Sequence, residues 1–330
     1  MNLLRIGVVG TGRLGTLHAK MLTESGLARL AGVYDIDAEK AKNIASEFGS
    51  RAAASLNELL AGVDAIVVSA DTSAHHAIAL AALVQKKHVL IEKPITRTID
   101  EAEELCRIAR EQKLVLQVGH IERFNPAILA LEKYSINPMF VESHRLAQFN
   151  PRGTDVAVVL DLMIHDIDII LSFVRSPVEK IDANGIAVVS DTVDIANARL
   201  QFQNGCVANV TASRISQRKM RKMRLFQRSE YISIDFLDGN AEVFRLVDDS
   251  EPGQTGTLML GEIGSGTNRR KIVYEQPEVK PVNALEHEIG LFVDAIRLGI
   301  RPVVAGEDGK RALEVANTIL DKINQQHITL

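Results

Sequence analysis

The chain has 330 residues, of which 46% are hydrophobic and 24% charged, and its formal net charge is −4. This length and composition favour a globular protein of two domains. The negative net charge gives no reason to expect nucleic acid or an anionic membrane as a partner. Two distant cysteines, Cys106 and Cys206, indicate a reducing compartment and argue against a thiolate metal site.

No apolar stretch of the sequence approaches the ~20 residues that a membrane-spanning helix needs. The first strand-like run begins near the N-terminus, at Leu4, so we expect no signal peptide. None of the nine histidines stands in an HxxxH or HExxH spacing, so no metal site is expected. These features together predict a cytoplasmic protein.

Strands and helices alternate in the first third of the chain. Strand-like runs lie near 4–9, 29–34, 65–69, 88–91 and 114–118, and helical patterns lie near 13–25, 37–48, 55–60, 74–86 and 98–112. This alternation predicts an α/β Rossmann domain, with a doubly wound parallel sheet covered by helices on both faces. Because ligands of such sheets bind at the carboxyl ends of the strands, the loops after those ends should carry the site.

A glycine-rich turn follows the first strand-like run and opens a helical pattern. It reads Gly10-Thr11-Gly12-Arg13-Leu14-Gly15, and Asp35 ends the next apolar run, 20 residues beyond Gly15. In a dinucleotide-binding turn the first glycine makes the tight turn, the second admits a pyrophosphate, and the third lets the helix pack on the strand. Asp35 would bind the ribose hydroxyls and repel a 2′-phosphate. The pattern therefore predicts NAD as the cofactor, in preference to NADP.

The alternation of predicted strands and helices ends after about residue 120. Residues 139–276 read mostly as extended segments, interrupted by one helix near 155–174, and two helices close the chain near 284–298 and 307–324. Residues 249–268 look like a mobile surface loop. We expect a dinucleotide-binding domain over 1–120 and an α+β domain over 121–330, with the closing helices 284–330 able to pack back toward the first domain.

The helix near 155–174 carries the best candidates for acid–base chemistry. It is apolar almost all round, and at about 100° per residue Asp161, His165 and Asp168 fall within roughly 60° of one another. A histidine flanked by carboxylates has the tautomer and basicity that a general base requires. The same stripe also fits a structural His–Asp pair between two helices, and spacing alone does not decide between them.

Two short segments face the expected cofactor cleft. Lys93, in Glu92-Lys93-Pro94, follows a strand and could polarise a reacting hydroxyl, or it could be a surface lysine beside a proline. His75 and His76 open the helix near 74–86. A histidine there could touch the cofactor, although an ordinary solvent-facing role is the more common one.

Two further segments belong to the second domain. Arg123 and Asn125 lie at the domain junction, where they could orient a substrate or simply form a linker and a helix cap. Farther along the chain, seven basic residues lie between positions 214 and 228: Arg214, Arg218, Lys219, Arg221, Lys222, Arg224 and Arg228. They fit a solvated basic strand, or a surface that contacts the pyrophosphate of a sugar nucleotide.

These motifs, in this order, resemble the Gfo/Idh/MocA family of NAD(P)-dependent oxidoreductases over nearly the whole chain. The resemblance implies a second domain with a large open mixed sheet that often mediates oligomerisation, and hence a homodimer or homotetramer. It implies that Lys93, Asp161 and His165 are the catalytic set, and that they bind substrate together with Arg123 and Asn125. For NAD it implies contacts from Ala70, His75, Glu92 and Lys93 in addition to the glycine-rich turn and Asp35.

Two segments depart from the family pattern. The loop Ala70-Asp71-Thr72-Ser73-Ala74-His75 replaces a TPxxxH-type loop, and Arg152-Gly153-Thr154-Asp155 replaces a glycine-rich turn before the helix. The chain is most similar to members that oxidise the 3-hydroxyl of UDP-N-acetylglucosamine. A dehydrogenase of a free polyol, inositol or simple sugar is the alternative enzyme, and a non-catalytic NAD-sensing regulator is the alternative of another class.

Overall fold

The computed structural model describes residues 3–150, 156–248, 258–264 and 269–327. The described chain divides into two compact units. The first comprises residues up to Ile121 together with Asn283–Glu314, and the second comprises Glu122–Val282 and the chain from Val315 onward. Residues 283–314 therefore group with the N-terminal part of the chain.

The first unit is built on a parallel sheet, as the alternating sequence predicts. Its strands are β1 (Arg5–Val9), β2 (Arg29–Tyr34), β3 (Ala65–Val68), β4 (His88–Glu92) and β5 (Leu116–Gly119). They lie in the order β2-β1-β3-β4-β5, and every pairing is parallel. The order reverses between β1 and β3, which places the expected ligand crevice beside the carboxyl end of β1.

Helices cover this sheet, and all of them except α1 begin after a polar residue. They are α1 (Arg13–Glu24), α2 (Ala38–Glu47), α3 (Leu56–Ala61), α4 (Thr72–Val84), α5 (Ile99–Glu111) and α8 (Ala284–Leu298). At α5 the Thr98 hydroxyl accepts from the Glu101 N–H at 3.2 Å while the Glu101 carboxylate accepts from the Thr98 N–H at 3.1 Å, which satisfies two donors that the helix leaves open. α8 adds Leu285, Ile289 and Phe292 to the core of the sheet.

The second unit is dominated by a mixed sheet in the order β13-β14-β12-β11-β10-β6-β9-β8-β7, in which β6 and β9 are parallel. Its strands are β6 (Phe140–Leu146), β7 (Val178–Ile186), β8 (Ile195–Phe202), β9 (Val207–Ser213), β10 (Met220–Gln227), β11 (Glu230–Asp235), β12 (Asn240–Asp248), β13 (Leu258–Ile263) and β14 (Arg270–Glu275). Strand β13 corrects the expectation of a surface loop over residues 258–263. The remainder of that expected loop up to residue 268 lies largely outside the described residues.

Shorter helical segments lie on one face of this sheet. They are a 3₁₀ turn (Ile121–Phe124), α6 (Pro126–Leu129), a π-helical turn (Val159–Met163) and α7 (Ile164–Val174), and α9 (Gly306–His327) closes the chain. The expectation of one helix near 155–174 is thus wrong in one respect. The five residues Val159–Met163 adopt the wider π geometry before the regular helix α7 begins. No helix in the described ranges has both the length and the apolar character needed to cross a bilayer.

Two helical glycines allow a matched test of how closely helices pack in the first unit. A Cβ at Gly309 would lie 2.6 Å from Cγ2 of Val118 in β5, whereas a Cβ at Gly290 in α8 would meet only Leu27 Cδ1 at 3.5 Å. We expect Gly309→Ala to destabilise the protein by about 1–3 kcal/mol through overpacking. Gly290→Ala should be neutral or stabilising by up to about 1 kcal/mol because alanine favours the helix. Denaturant unfolding of both variants measures the difference, and equal effects would contradict the close packing of Gly309.

Candidate active site

The glycine-rich turn after β1 has the shape that the dinucleotide interpretation requires. Gly10 has φ +89°, and its N–H donates to the Tyr34 carbonyl at 2.9 Å. A Cβ at Gly15 would overlap the carbonyl oxygen of Gly10, so α1 can pack this closely only on glycine. A Cβ at Gly12, in contrast, would have no heavy atom of the described residues within 4 Å. The middle glycine therefore borders open space, as an approaching pyrophosphate needs.

The N-terminus of α1 adds favourable electrostatics for that ligand. Its first turn carries no acidic residue, and Gly12 at the cap provides no side-chain hydrogen bond. The first N–H groups of the helix are thus available, and the helix dipole places partial positive charge beside the turn. Arg13 and Leu14 are exposed, and Thr11 is buried. The glycine-rich turn and the N-terminus of α1 together fit the phosphates of NAD.

Asp35 follows β2 and is tied to the same turn. Its carboxylate accepts hydrogen bonds from the Thr11 N–H at 2.6 Å, the Thr11 hydroxyl at 2.9 Å and the Asp37 N–H at 2.9 Å. Burial opposes ionisation, but these hydrogen bonds outweigh it and lower the pKa of Asp35. The ionised carboxylate therefore steadies the turn above the ordinary aspartate pKa, and this contribution is lost only as the pH falls through the lowered value.

His75 connects two loops at the carboxyl edge of the sheet. Its ring nitrogens lie 3.0 Å from the carbonyl oxygens of Ala70 and Pro94, and the side chain is buried. Burial lowers the pKa of His75, which keeps the imidazole neutral. Its visible partners are thus backbone carbonyls, and a cofactor contact by His75 stays a prediction. The neighbouring His76 pairs with Glu104 at 2.7 Å, as an ordinary helix-surface histidine would.

Lys93 directly follows β4, so it stands at the carboxyl end of a central strand, as the sequence predicts. Beside it, the Glu92 carboxylate lies 2.7 Å from Nε2 of the buried His18. Glu288 of α8 is fully buried, and burial together with the Glu92 charge raises its pKa well above the usual range. Sequence reasoning missed His18 and Glu288. The available signal was the position of Glu288, directly before the core residue Ile289 and three residues after the core residue Leu285 on α8.

In the second unit, the two expected substrate-orienting residues make protein contacts. The Arg123 guanidinium forms a two-pronged pair with Asp168, with Nε–Oδ2 at 2.6 Å and Nη2–Oδ1 at 2.7 Å. Asn125 caps α6 by accepting from the Ala127 N–H, and its amide donates to the Phe236 carbonyl at 3.1 Å. These contacts match the linker-and-cap alternative, and substrate binding by Arg123 and Asn125 stays a prediction.

Asp161 and His165 lie on either side of the transition from the π-helical turn to α7, and both are half-buried. π-Helical turns are rare and occur frequently at functional sites. The wider turn also shifts Asp161 relative to His165 from the positions that regular helix arithmetic gives. Asp168, the third member of the expected stripe, belongs to the pair with Arg123. The expected substrate turn 152–155 lies outside the described residues.

A buried ionic network underlies this segment, and sequence reasoning did not find it. The Arg145 guanidinium of β6 donates to both carboxylate oxygens of Asp166, at 3.0 and 2.9 Å, and to Glu122 at 2.9 Å. Although burial disfavours its charge, Asp166 and Glu122 raise the pKa of Arg145. Glu122 also accepts from Arg221 of β10 at 3.2 Å. The network anchors the residue next to His165.

The sequence matches the family described as the Gfo/Idh/MocA oxidoreductase family with an NAD-binding Rossmann fold over residues 4–120, and the Gfo/Idh/MocA C-terminal domain over 139–230. The chain belongs to this family. It is 38% identical to UDP-N-acetylglucosamine 3-dehydrogenase of Acidithiobacillus ferrooxidans, over 95% of each chain. The crystal structure of that enzyme matches with a TM-score of 0.86, over 98% of each chain at 35% identity. Myo-inositol 2-dehydrogenase of Thermotoga maritima is 27% identical, over 94% of this chain and 93% of the relative.

These comparisons confirm the resemblance, the fold class and the cofactor that the sequence predicts. The protein is an oxidoreductase with an NAD-binding Rossmann fold. Membership in the family also favours an enzyme over the NAD-sensing regulator considered from the sequence.

The position of Asp35 generates a test of cofactor choice. Wild type should bind NAD more tightly than NADP, because a 2′-phosphate would lie against an ionised carboxylate. Asp35→Ala and Asp35→Ser should narrow this preference, measured as the ratio of the two dissociation constants by fluorescence titration of NADH and NADPH. Asp37→Ala is a control, since it removes a nearby carboxylate that caps α2. A wild type that prefers NADP would contradict the role of Asp35.

Proposed function

We propose that the enzyme uses NAD to oxidise the 3-hydroxyl of UDP-N-acetylglucosamine. The observation that carries the proposal is the match to an enzyme of that name, at 38% identity over 95% of each chain and with a TM-score of 0.86. The first unit of the chain provides the glycine-rich turn and the carboxylate that suit NAD, and the second provides the half-buried Asp161 on a π-helical turn and the half-buried His165 at the start of α7.

The chemistry requires removal of a hydride from the carbinol carbon and of a proton from its hydroxyl. NAD, when bound, supplies the hydride acceptor at its nicotinamide ring. His165 in its neutral form takes the hydroxyl proton, and Asp161 orients the reacting group. The ammonium of Lys93 donates a hydrogen bond to the same oxygen and stabilises the negative charge that develops on it.

The surroundings of the two cysteines support a cytoplasmic location for this activity. Cys106 and Cys206 are both free and buried, and burial raises their pKa to about 12 and about 11 respectively. Such thiols stay protonated and unreactive, and two cysteines that form no disulfide suit a reducing compartment.

A substrate comparison tests the proposed function. We expect wild type with NAD to have its highest kcat/KM on UDP-N-acetylglucosamine, compared with N-acetylglucosamine and myo-inositol, as followed by NADH absorbance. The similarity to myo-inositol 2-dehydrogenase makes inositol the informative competitor. Faster turnover of myo-inositol than of the sugar nucleotide would overturn the proposed substrate and favour a polyol dehydrogenase.

The proposed roles of His165 and Lys93 generate a second test. His165→Asn and Lys93→Met should lower kcat by about 10²–10⁴, because each removes a positioned group that acts on the reacting hydroxyl. NADH binding should change little in His165→Asn, since His165 is not among the residues expected to hold the dinucleotide. In wild type, turnover should rise with pH as the imidazole loses its proton, and His165→Asn should abolish this rise. His76→Asn, at a histidine paired with Glu104, is the control. Near wild-type turnover in His165→Asn would assign that histidine a structural role.

The aromatic face of the second sheet generates a prediction about assembly. Phe140, Phe226, Tyr231, Phe244 and Tyr274 stack across neighbouring strands with ring centroids 5.0–5.9 Å apart. They lie on the face opposite to the buried Val141 and Leu225, and they are half-buried. We expect a homodimer or homotetramer that covers this face. Light scattering at micromolar concentration should show it, and Tyr231→Glu should shift the protein toward the monomer. A monomeric wild type would contradict the prediction.

A further inference from the structure

The basic run between Arg214 and Arg228 separates into distinct groups in the structure. Arg214 is buried, lies 3.4 Å from Asp194 and donates to the Val193 carbonyl. Lys222 pairs with Asp235 and Arg224 pairs with Glu142. Because side chains alternate along a strand, Lys222 and Arg224 share the face of Phe226. These three cations thus have partners in the structure, and the run is not one continuous basic stripe.

Arg221 lies on the opposite face of β10, with the buried Met223 and Leu225. It stands directly across from Arg145 in the neighbouring β6, and both guanidinium groups donate to Glu122. Arg145 in turn holds Asp166, the residue after His165. Arg221 keeps 42% of its side-chain surface exposed, so it brings accessible positive charge to the face that carries the candidate catalytic helix.

Arg218 and Lys219 precede Arg221 in the turn between β9 and β10, and both are exposed. In the described part of the chain, neither has an acidic group within ion-pair distance. This turn emerges at the end of the sheet where β6 and β9 finish, since Leu146 is paired with both Ser213 and Met220. At the start of the turn, Arg214 donates to the carbonyl of Val156, from which the chain runs into the π-helical turn.

The turn that carries Arg218 and Lys219 is therefore positively charged, and at its start Arg214 binds the segment that leads into the candidate catalytic helix. Among the described side chains, Arg145 and Arg221 are balanced by Asp166 and Glu122, whereas Arg218 and Lys219 add two positive charges with no described acid within ion-pair distance. Guanidinium and ammonium groups bind phosphate through charge-assisted hydrogen bonds, which are the stronger class of such bonds. A free sugar or an inositol offers nothing for such groups to neutralise.

We propose that Arg218, Lys219 and Arg221 form a diphosphate-binding surface that holds the nucleotide half of the substrate while the sugar ring reaches His165. The proposal rests on the proposed function for the identity of the sugar. It assigns to these cations the affinity for the nucleotide, and it assigns to His165, Asp161 and Lys93 the chemistry on the sugar.

Charge removal at matched positions of the same run tests the proposal. The test variants are Arg218→Gln/Lys219→Gln and Arg221→Gln, and Arg221→Lys keeps the charge of the third position. The control is Lys222→Gln/Arg228→Gln, which removes two charges of the same sign. Lys222 lies on the opposite face of β10, and Arg228 lies about 25 Å along the strand from the turn.

The main measurement is the dissociation constant of UDP for the NADH-bound enzyme, by calorimetry. We expect each test variant to bind UDP about tenfold or more weakly, because charge-assisted contacts are lost. Its KM for UDP-N-acetylglucosamine should rise similarly, with kcat within about threefold of wild type, as expected for groups that bind the substrate equally in the ground and transition states. Arg221→Lys should retain part of the affinity, and the control should match wild type.

The outcomes separate the two proposals. If wild type binds UDP and the test variants lose this affinity, the diphosphate surface stands even if another sugar nucleotide proves to be the substrate. If wild type oxidises UDP-N-acetylglucosamine but the test variants bind UDP as the control does, the diphosphate surface is wrong and the proposed function stands. Failure of wild type to bind UDP would overturn the proposed diphosphate surface. Equal losses of UDP affinity in the test and control variants would also contradict it, because they would show general electrostatic attraction only.

Discussion

A fully buried guanidinium holds the second unit together around its candidate catalytic helix. Arg145 is 2% exposed, and its charge is met by Asp166 from α7 and Glu122 from the 3₁₀ turn. Removing water from an ion costs several kcal/mol, which only well-formed pairs offset, so these three groups must stay in register. Loss of one partner from such a network typically costs about 3–5 kcal/mol. The position of His165 relative to β6 is thus restrained by its neighbour Asp166 in addition to the apolar packing of α7.

A second ion pair restrains α7 at Asp168, two residues after Asp166. Arg123 binds Asp168, whose side chain is 1% exposed, with two short hydrogen bonds. Asp166 and Asp168 therefore bind two cations from two different segments of the chain. Their separation by two residues places these carboxylates on different sides of α7, so the helix is restrained against rotation about its own axis. A proton-accepting imidazole benefits directly from that restraint, because proton transfer depends on distance and direction.

The features that the sequence predicted correctly are those that depend on near neighbours. The strands of the first sheet, the turn Gly10–Gly15 and its acid Asp35 follow from apolar runs and glycine spacing within about 30 residues. The ionic network was not predictable in this way. Buried positions of β6 alternate as Val141, Ser143 and Arg145, so the inward face reads as polar, and the partners of Arg145 lie about 20 residues away in both directions.

Other differences have equally local causes. The π-helical turn changes the angular step between Asp161 and His165, which regular helix geometry does not anticipate. His165 and Asp168 both lie in the regular part of α7, and there the sequence could not show that Asp168 pairs with Arg123. Residue type alone identified Arg123 and Asn125 as polar groups at a junction but could not reveal which protein atoms they bind. The glycine and threonine residues around β13 favour a loop, and only its pairing with β14 makes it a strand.

His75 has a consequence for the loops that it joins. Its two ring nitrogens face two carbonyl oxygens, yet a neutral imidazole carries a single N–H. At any moment one carbonyl receives a proton donor and the other faces a lone pair, and the two tautomers exchange these roles without movement of the ring. The segment at Ala70 and the segment at Pro94 therefore compete for one hydrogen. The tautomer of His75 therefore decides which of the two loops is tied by a hydrogen bond, and the other loop is held near the ring without one.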